Sequence, residues 1–134
     1  MTELLVEENN QDTTQFSCVV SHPIKRVWAV LLSPPAQTAL LGEGGMLGDK
    51  GDRWEASDGS WGITRSYHPL EEIRFSWHAD ADAPRTWVEL RLETVDQDST
   101  RLTISHDHSG VEVDQAALTA HWSEALYRIE AAIL

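Results

Sequence analysis

The chain has 134 residues, with 10 Lys and Arg against 22 Asp and Glu, which gives a net charge of -12. This length allows one core that buries roughly two-thirds of the unfolded surface, and the negative charge opposes binding to nucleic acid or to an anionic membrane. Because the sequence has neither an apolar run of about 18 residues nor a basic, apolar leader, we expect no membrane span and no signal peptide.

The amino-terminal part predicts a strand preceded by a weaker segment. Residues 1–12 are mostly polar and acidic, so we expect a flexible terminus or a weak edge strand ahead of a single domain over residues 13–134. In Thr13–Val20 the apolar residues alternate, as in a half-buried strand. Cys18, the only cysteine, is part of this alternation, which favours a buried thiol in a reducing, cytoplasmic protein.

Two short helices are predicted after this strand. Pro23 is suited to the first turn of a helix, where a missing N–H costs nothing. The apolar residues then follow helical spacing at Ile24, Val27, Trp28 and Leu31. Ser33-Pro34-Pro35 ends this helix, and residues 36–41 predict a second one.

A glycine-rich loop follows the second predicted helix. Residues 42–51 contain five glycines, but they lack the order of a phosphate-binding loop because Gly51 follows Lys50. We therefore expect a mobile flap beside the entrance of a cavity rather than a phosphate site.

The middle of the chain predicts successive antiparallel hairpins. Turn residues separate the apolar segments, and the period of two places three sets of apolar residues on one face. These sets are Ile73, Phe75 and Trp77; Val88, Leu90 and Leu92; and Leu102 and Ile104. The opposite face carries charged residues, so one face is buried and the other is solvated.

The final segment, residues 114–133, predicts a long amphipathic helix. It contains no Pro or Gly, and its apolar stripe consists of Leu118, Trp122, Ala125, Leu126, Ile129 and Ile133. Such a segment is marginal alone in water, so it must dock on the sheet. We thus expect an α+β fold with about six strands curved around this helix.

Several sequence pieces, in this order, resemble a known superfamily. They are Pro23-Ile24-Lys25-Arg26-Val27-Trp28, Lys50-Gly51-Asp52-Arg53-Trp54, Gly62-Ile63-Thr64 with Pro69, Ile73-Arg74-Phe75-Ser76-Trp77, Ser99-Thr100-Arg101-Leu102-Thr103-Ile104-Ser105-His106 and His121-Trp122-Ser123-Glu124-Ala125-Leu126. Together they resemble the START-like, or birch-pollen-allergen-like (SRPBCC), helix-grip superfamily. Within it, the chain is most similar to homologues of the activator of the 90-kDa heat-shock-protein ATPase.

The candidate site is the space between the helix stripe and the concave sheet face, because a curved sheet and a straight helix cannot touch along their whole length. The predicted ligand-binding residues are Trp54, Trp61, Phe75, Trp77, Leu90, His106, Leu118, Trp122 and Leu126. The alternative is a closed core in which bulky tryptophans fill that space.

The histidines and acidic residues do not predict a catalytic or metal site. His106 and His108 face the same side of a strand, but the sequence places no third ligand beside them. Ser105, His106 and Asp107 cannot form a triad because adjacent strand residues point to opposite faces. We expect no metal and no cofactor, and His106 is a candidate to hydrogen-bond a ligand inside the cavity.

Three functions remain open at this stage. The first is binding of a small apolar ligand in the cavity. The second, implied by the resemblance, is a chaperone-associated interaction protein. The third is a cyclase or dehydratase, which some superfamily members are, although no buried acid or base is evident here. The chain could act as a monomer or as a homodimer.

Overall fold

The fold was analysed in a computed structural model, which describes residues 3–10, 13–108, 111 and 114–133. Within these residues the chain forms seven strands and three helices. The strands are β1 (Glu3–Asn10), β2 (Thr13–Val20), β3 (Arg53–Glu55), β4 (Trp61–His68), β5 (Glu72–Trp77), β6 (Thr86–Asp96) and β7 (Ser99–Asp107). The helices are α1 (Ile24–Leu31), α2 (Pro34–Leu41) and α3 (Gln115–Ile133).

The strands form one curved antiparallel sheet in the order β1-β2-β7-β6-β5-β4-β3. Chain neighbours pair as hairpins from β3 to β7, and β7 returns to pair with β2. Helix α3 packs against α1, α2 and β2. The predicted α+β helix-grip architecture is therefore confirmed.

The two prolines between α1 and α2 explain the break between these helices. Pro34 and Pro35 cannot continue α1, but they occupy the first turn of α2, where no helical N–H bond is required. Gln37 is buried in α2 and joins three segments. Its Nε2 donates to the Leu31 carbonyl oxygen (2.8 Å), and its Oε1 accepts from the backbone N–H of Leu47 (2.7 Å).

The core lies between the concave sheet face and the helices. It contains the alternating residues of β5, β6 and β7 that the sequence predicts, together with the α3 stripe. The buried members are Ile73, Phe75, Val88, Leu90, Leu92, Leu102, Ile104, Trp122, Ala125, Leu126, Ile129 and Ile133. Leu118 and Trp77 are only partly buried, which marks the end of the sheet where the helix and the strands diverge.

Cys18 is buried in β2, as the alternation predicts. Burial, with a smaller contribution from nearby Glu130, raises the pKa of its thiol to about 12. The thiol is therefore protonated at neutral pH and serves for packing, since the reactive form is the thiolate. Among the described helices, none is long and apolar enough to cross a bilayer.

Candidate functional site

A pocket of about 390 Å³ lies where the first two turns of α3 separate from the sheet. Its sheet wall comes from the carboxyl ends of β5 and β7 and from the start of β6, which antiparallel pairing brings to one end of the sheet. Trp77 pairs directly with Thr86, and His106 pairs with Val88, two residues further along β6. The side chains of Thr86 and His106 therefore lie diagonally on the same face.

The lining is mostly apolar. It consists of Trp77, Ala79, Ala83, Pro84, Thr86, His106, Val111, Asp114, Ala117, Leu118, His121 and Trp122. His106 and Trp122 are buried at the inner end, whereas Ala79, Pro84, Asp114 and Ala117 are exposed at the rim. The pocket is thus closed at the sheet and open to solvent beside the amino terminus of α3.

A chain of three hydrogen bonds fixes the inner end of the pocket. Trp122 Nε1–H donates to His106 Nδ1 (3.1 Å). Because the indole can only donate, Nδ1 must accept, and the ring proton is on Nε2. His106 Nε2–H then donates to Thr86 Oγ1 (2.8 Å), whose hydroxyl donates to the Trp77 carbonyl oxygen (3.2 Å).

His106 is neutral at physiological pH. The residue is only 4% exposed. Desolvation by burial is the main reason that its pKa is lowered from 6.5 to about 4, and electrostatic repulsion from His108 and His121 adds to this shift. Asp107 opposes this shift but is the smallest contributor. Neutrality preserves Nδ1 as the acceptor for Trp122, so the same burial that lowers the pKa maintains the hydrogen-bond chain.

Aromatic rings surround this chain. The Trp77 ring lies 5.6 Å from the Trp122 ring and 5.4 Å from the His121 ring, in edge-to-face arrangements. On the other side, the Trp77 ring contacts Trp54, also edge to face, at 5.4 Å. Such pairs hold their rings in defined orientations, so the inner wall of the pocket is rigid and aromatic.

His121 joins the pocket to helix α2. Its Nε2 lies 3.0 Å from the carbonyl oxygen of Leu40, and since a carbonyl can only accept, Nε2 carries the proton. Desolvation lowers the pKa of His121, although the bond to Leu40 and the charge of Asp58 act in the opposite direction. The neutral ring therefore has its lone pair on Nδ1.

The outer wall is the β5–β6 loop, residues 78–85, which is attached to the sheet through Trp61 and His78. Trp61 Nε1–H donates to the Asp80 carbonyl oxygen (3.1 Å), and His78 Nδ1–H donates to that of Ala83 (3.0 Å). The Trp61 and His78 rings stack at 3.9 Å, and the Arg53 guanidinium lies 4.1 Å above the Trp61 ring. This stack positions the loop that carries Ala79, Ala83 and Pro84.

The structure brings together four of the nine residues that the sequence proposes for ligand binding: Trp77, His106, Leu118 and Trp122. The other five lie outside the pocket lining. Trp54, Phe75, Leu90 and Leu126 are buried in the core, and Trp61 supports the outer wall from behind. The four core residues are on the predicted face, but packing is closed there and leaves no space. Trp61 pairs with exposed Glu55, next to the buried Trp54–Gly62 pair, so it faces the other side of the sheet.

The sequence interpretation missed the residues of the rim. Residues 79–84 look like an ordinary hairpin turn, and nothing in their order shows that the turn folds toward α3. His121 lies outside the apolar stripe of the helix, so its part in the pocket follows from tertiary structure alone. Thr86 was detectable, because a hydroxyl at the start of an apolar strand needs a partner if it is buried.

The glycine-rich loop does not form part of the pocket. None of residues 42–51 is among the lining residues. Instead, the loop is bonded to its surroundings, through Leu47 N–H to Gln37, Gly51 N–H to the Thr64 carbonyl and Ser57 N–H to the Glu43 carbonyl. The prediction that this loop forms a flap beside the pocket entrance is therefore wrong, because the loop lies elsewhere.

A comparison with models of protein families identifies the family of this chain. The model of the family described as "Activator of Hsp90 ATPase homolog 1-like protein" matches residues 21–133. The chain belongs to this family. Its matched region includes α1, the sheet from β3 to β7 and α3, and thus every described residue that lines the pocket. The resemblance inferred from the sequence is confirmed. A search of curated proteins finds no match.

Solved structures similar to this Activator of Hsp90 ATPase homolog 1-like chain support the fold. CalU16 from Micromonospora echinospora is 20% identical with a TM-score of 0.73, over 99% of this chain and 86% of that one. A protein from Rhodobacter sphaeroides is 22% identical with a TM-score of 0.72, over 96% of both chains. DynU16, described as a putative protein in the dynemicin biosynthetic locus, is 22% identical with a TM-score of 0.73. The match covers 91% of this chain but only 47% of DynU16.

Proposed function

We propose that this domain binds a small, largely apolar molecule in the pocket between α3 and the end of the sheet. The observation that carries the proposal is the pocket itself, about 390 Å³ with an aromatic inner end and an open rim. Ligand sites in proteins typically enclose about 300–1,000 Å³ and have apolar walls with a few fixed polar groups. The size and composition of this pocket fall in that range.

The rigidity of the inner wall supports the same function. The hydrogen bonds through Trp122, His106 and Thr86 hold the wall in place before any ligand arrives. A preformed site loses less conformational entropy on binding, which improves affinity for a given contact area. The tryptophans therefore act as fixed walls of the pocket rather than as its filling.

The test is to fill the pocket with an indole from the protein itself. In Leu118→Trp the new ring replaces a half-buried lining residue, so the affinity for apolar ligands should fall strongly while the fold persists. The matched control is Ala116→Trp, which adds an indole to the same helix at an exposed position outside the lining. Binding of fluorescent apolar dyes and native mass spectrometry measure the effect. Equal binding by both variants would refute the pocket as the site.

The description of the family favours a second candidate, a chaperone-associated role. Stimulation of the ATPase of a 90-kDa heat-shock protein, together with a pull-down of the chaperone, tests this candidate. A positive result that persists in Leu118→Trp would assign the function to the outer surface of the domain instead of the pocket.

A further inference from the structure

We propose that the pocket selects uncharged or cationic aromatic molecules that donate a hydrogen bond, and that it rejects carboxylates and other anions. This inference rests on the proposed function, because it names the chemistry of the molecule that the same pocket would bind. It follows from a separate observation: among the described residues, the lining offers a ligand an imidazole acceptor and a carboxylate but no cationic side chain.

The first acceptor is Nδ1 of His121. The bond from Nε2–H to Leu40 fixes the tautomer, and within the described residues no protein group donates to Nδ1. The ring is part of the pocket lining and lies beside Trp77, with 5.4 Å between the ring centres. A ligand whose aromatic part contacts Trp77 can therefore place a hydroxyl or an N–H against this lone pair.

The second acceptor is the carboxylate of Asp114 at the rim. Its Oδ1 accepts from the backbone N–H groups of Ala116 (3.1 Å) and Ala117 (3.2 Å). A helix amino terminus usually attracts anions through these donors, but here the aspartate has already occupied them. The amino terminus of α3 thus presents negative charge to the pocket entrance.

The side-chain donors at the inner end of the pocket are used within the protein, and among the described lining residues only the indole N–H of Trp77 has no protein acceptor. Trp122 Nε1–H, His106 Nε2–H and the hydroxyl of Thr86 all belong to the hydrogen-bond chain at the inner end. No Lys or Arg is among the described lining residues. Arg85, which follows Pro84, places its guanidinium 4.8 Å from the centre of the Trp87 ring. By strand alternation Trp87 faces away from Thr86, so this cation belongs to the other side of the sheet.

An anion in this pocket would lose its hydration and gain no cation, and the only unused side-chain donor among the described lining residues is the indole N–H of Trp77. Burial of an ionised carboxylate without such partners is strongly unfavourable, whereas an uncharged hydroxyl can exchange its water for Nδ1 of His121. The net charge of -12 adds a general repulsion of anions. Among ligands with equal apolar area, the pocket is therefore expected to bind uncharged hydrogen-bond donors more tightly than anions.

Three probes with the same two fused rings test the inference: 2-naphthol, 2-methoxynaphthalene and 2-naphthoate. Isothermal titration of the full chain at neutral pH should give a dissociation constant for 2-naphthol about fivefold lower than that for the methyl ether, which cannot donate. The naphthoate should show no saturable binding. His121→Phe should abolish the preference for 2-naphthol, so that 2-naphthol and the ether bind with equal affinity.

The outcomes separate this inference from the proposed function. Equal affinities for naphthol and ether, or saturable binding of naphthoate, would overturn the donor selection and leave the pocket as an apolar site. Binding of none of the three probes would count against the pocket itself. If His121→Phe does not fold, ¹⁵N NMR of the wild-type imidazoles decides, because naphthol should shift the Nδ1 resonance of His121 and the ether should not.

Discussion

The buried neutral state of His106 predicts that the protein loses stability as the pH falls from 7 to 4. The unfolded chain has an ordinary histidine with a pKa of 6.5, whereas the folded one has a pKa of about 4. As the pH decreases, the unfolded state therefore binds the proton first. The stability that depends on the neutral ring is complete above pH 6.5 and is lost between that pH and about 4.

The size of this effect follows from the two pKa values. A tenfold difference in proton affinity corresponds to about 1.4 kcal/mol, so the free energy of unfolding should decrease by about 3 kcal/mol through His106 alone between pH 7 and pH 4. His121, whose pKa is also lowered by burial, contributes in the same direction. A variant at position 106 is therefore needed to isolate the first contribution.

His106→Gln provides this comparison because glutamine has no proton to gain. At pH 7 the variant should be less stable than the wild type, by about 1–3 kcal/mol for the disturbed hydrogen bonds. At pH 4 its deficit should be smaller by about 3 kcal/mol, so that the two proteins become similar or the variant becomes the more stable one. Urea unfolding followed by far-UV circular dichroism at several pH values gives these free energies. If the two stability curves run parallel from pH 7 to pH 4, His106 titrates normally and the reasoning is wrong.

Three further predictions concern packing around the same site. Trp122→Phe leaves His106 Nδ1 buried without a donor and should lower the free energy of unfolding by about 1–3 kcal/mol, measured by urea unfolding at pH 7. Leu126→Trp should destabilise by about 1–3 kcal/mol because it overpacks a closed part of the core, and its melting temperature should lie below that of Leu118→Trp. Gly62→Ala would bring a Cβ into a severe clash with the Ser76 carbonyl oxygen, so it should lower the melting temperature far more than Gly51→Ala. At Gly51 no atom lies within 4 Å of the added Cβ, and only the φ of +94° is strained. Equal losses in thermal melts of the two variants would contradict this account.

The sequence allowed the architecture to be predicted because the core residues repeat with regular periods. Phe75, Leu90 and Ile104 alternate along their strands, and Trp122 and Ile129 lie one above another on α3, so each local pattern indicates the face that is buried. The same patterns could not predict the position along α3 at which the helix separates from the sheet. For this reason Leu126 and Leu90 were assigned to a cavity although they belong to the closed core.

The polar part of the site was only partly predictable. The position of His106 inside the cavity follows from continued strand alternation, but its partners come from β6 and α3, far away in the chain. The tautomer of His121 is set by a hydrogen bond to one backbone carbonyl in α2, and no sequence pattern predicts this contact. Side-chain periodicity thus predicts which face a residue is on, whereas hydrogen-bond partners depend on how the elements are arranged in space.

The attachment of the outer wall to the sheet has a consequence for the range of molecules that could be accepted. Trp61 and His78 hold the β5–β6 loop through its backbone carbonyls, so substitutions of Ala79, Ala83 or Pro84 would leave these anchors intact. The inner end, in contrast, depends on side chains that bond one another. Related proteins could therefore change the shape of the entrance by exchanging loop residues one at a time, while a change at the base would require several coordinated substitutions.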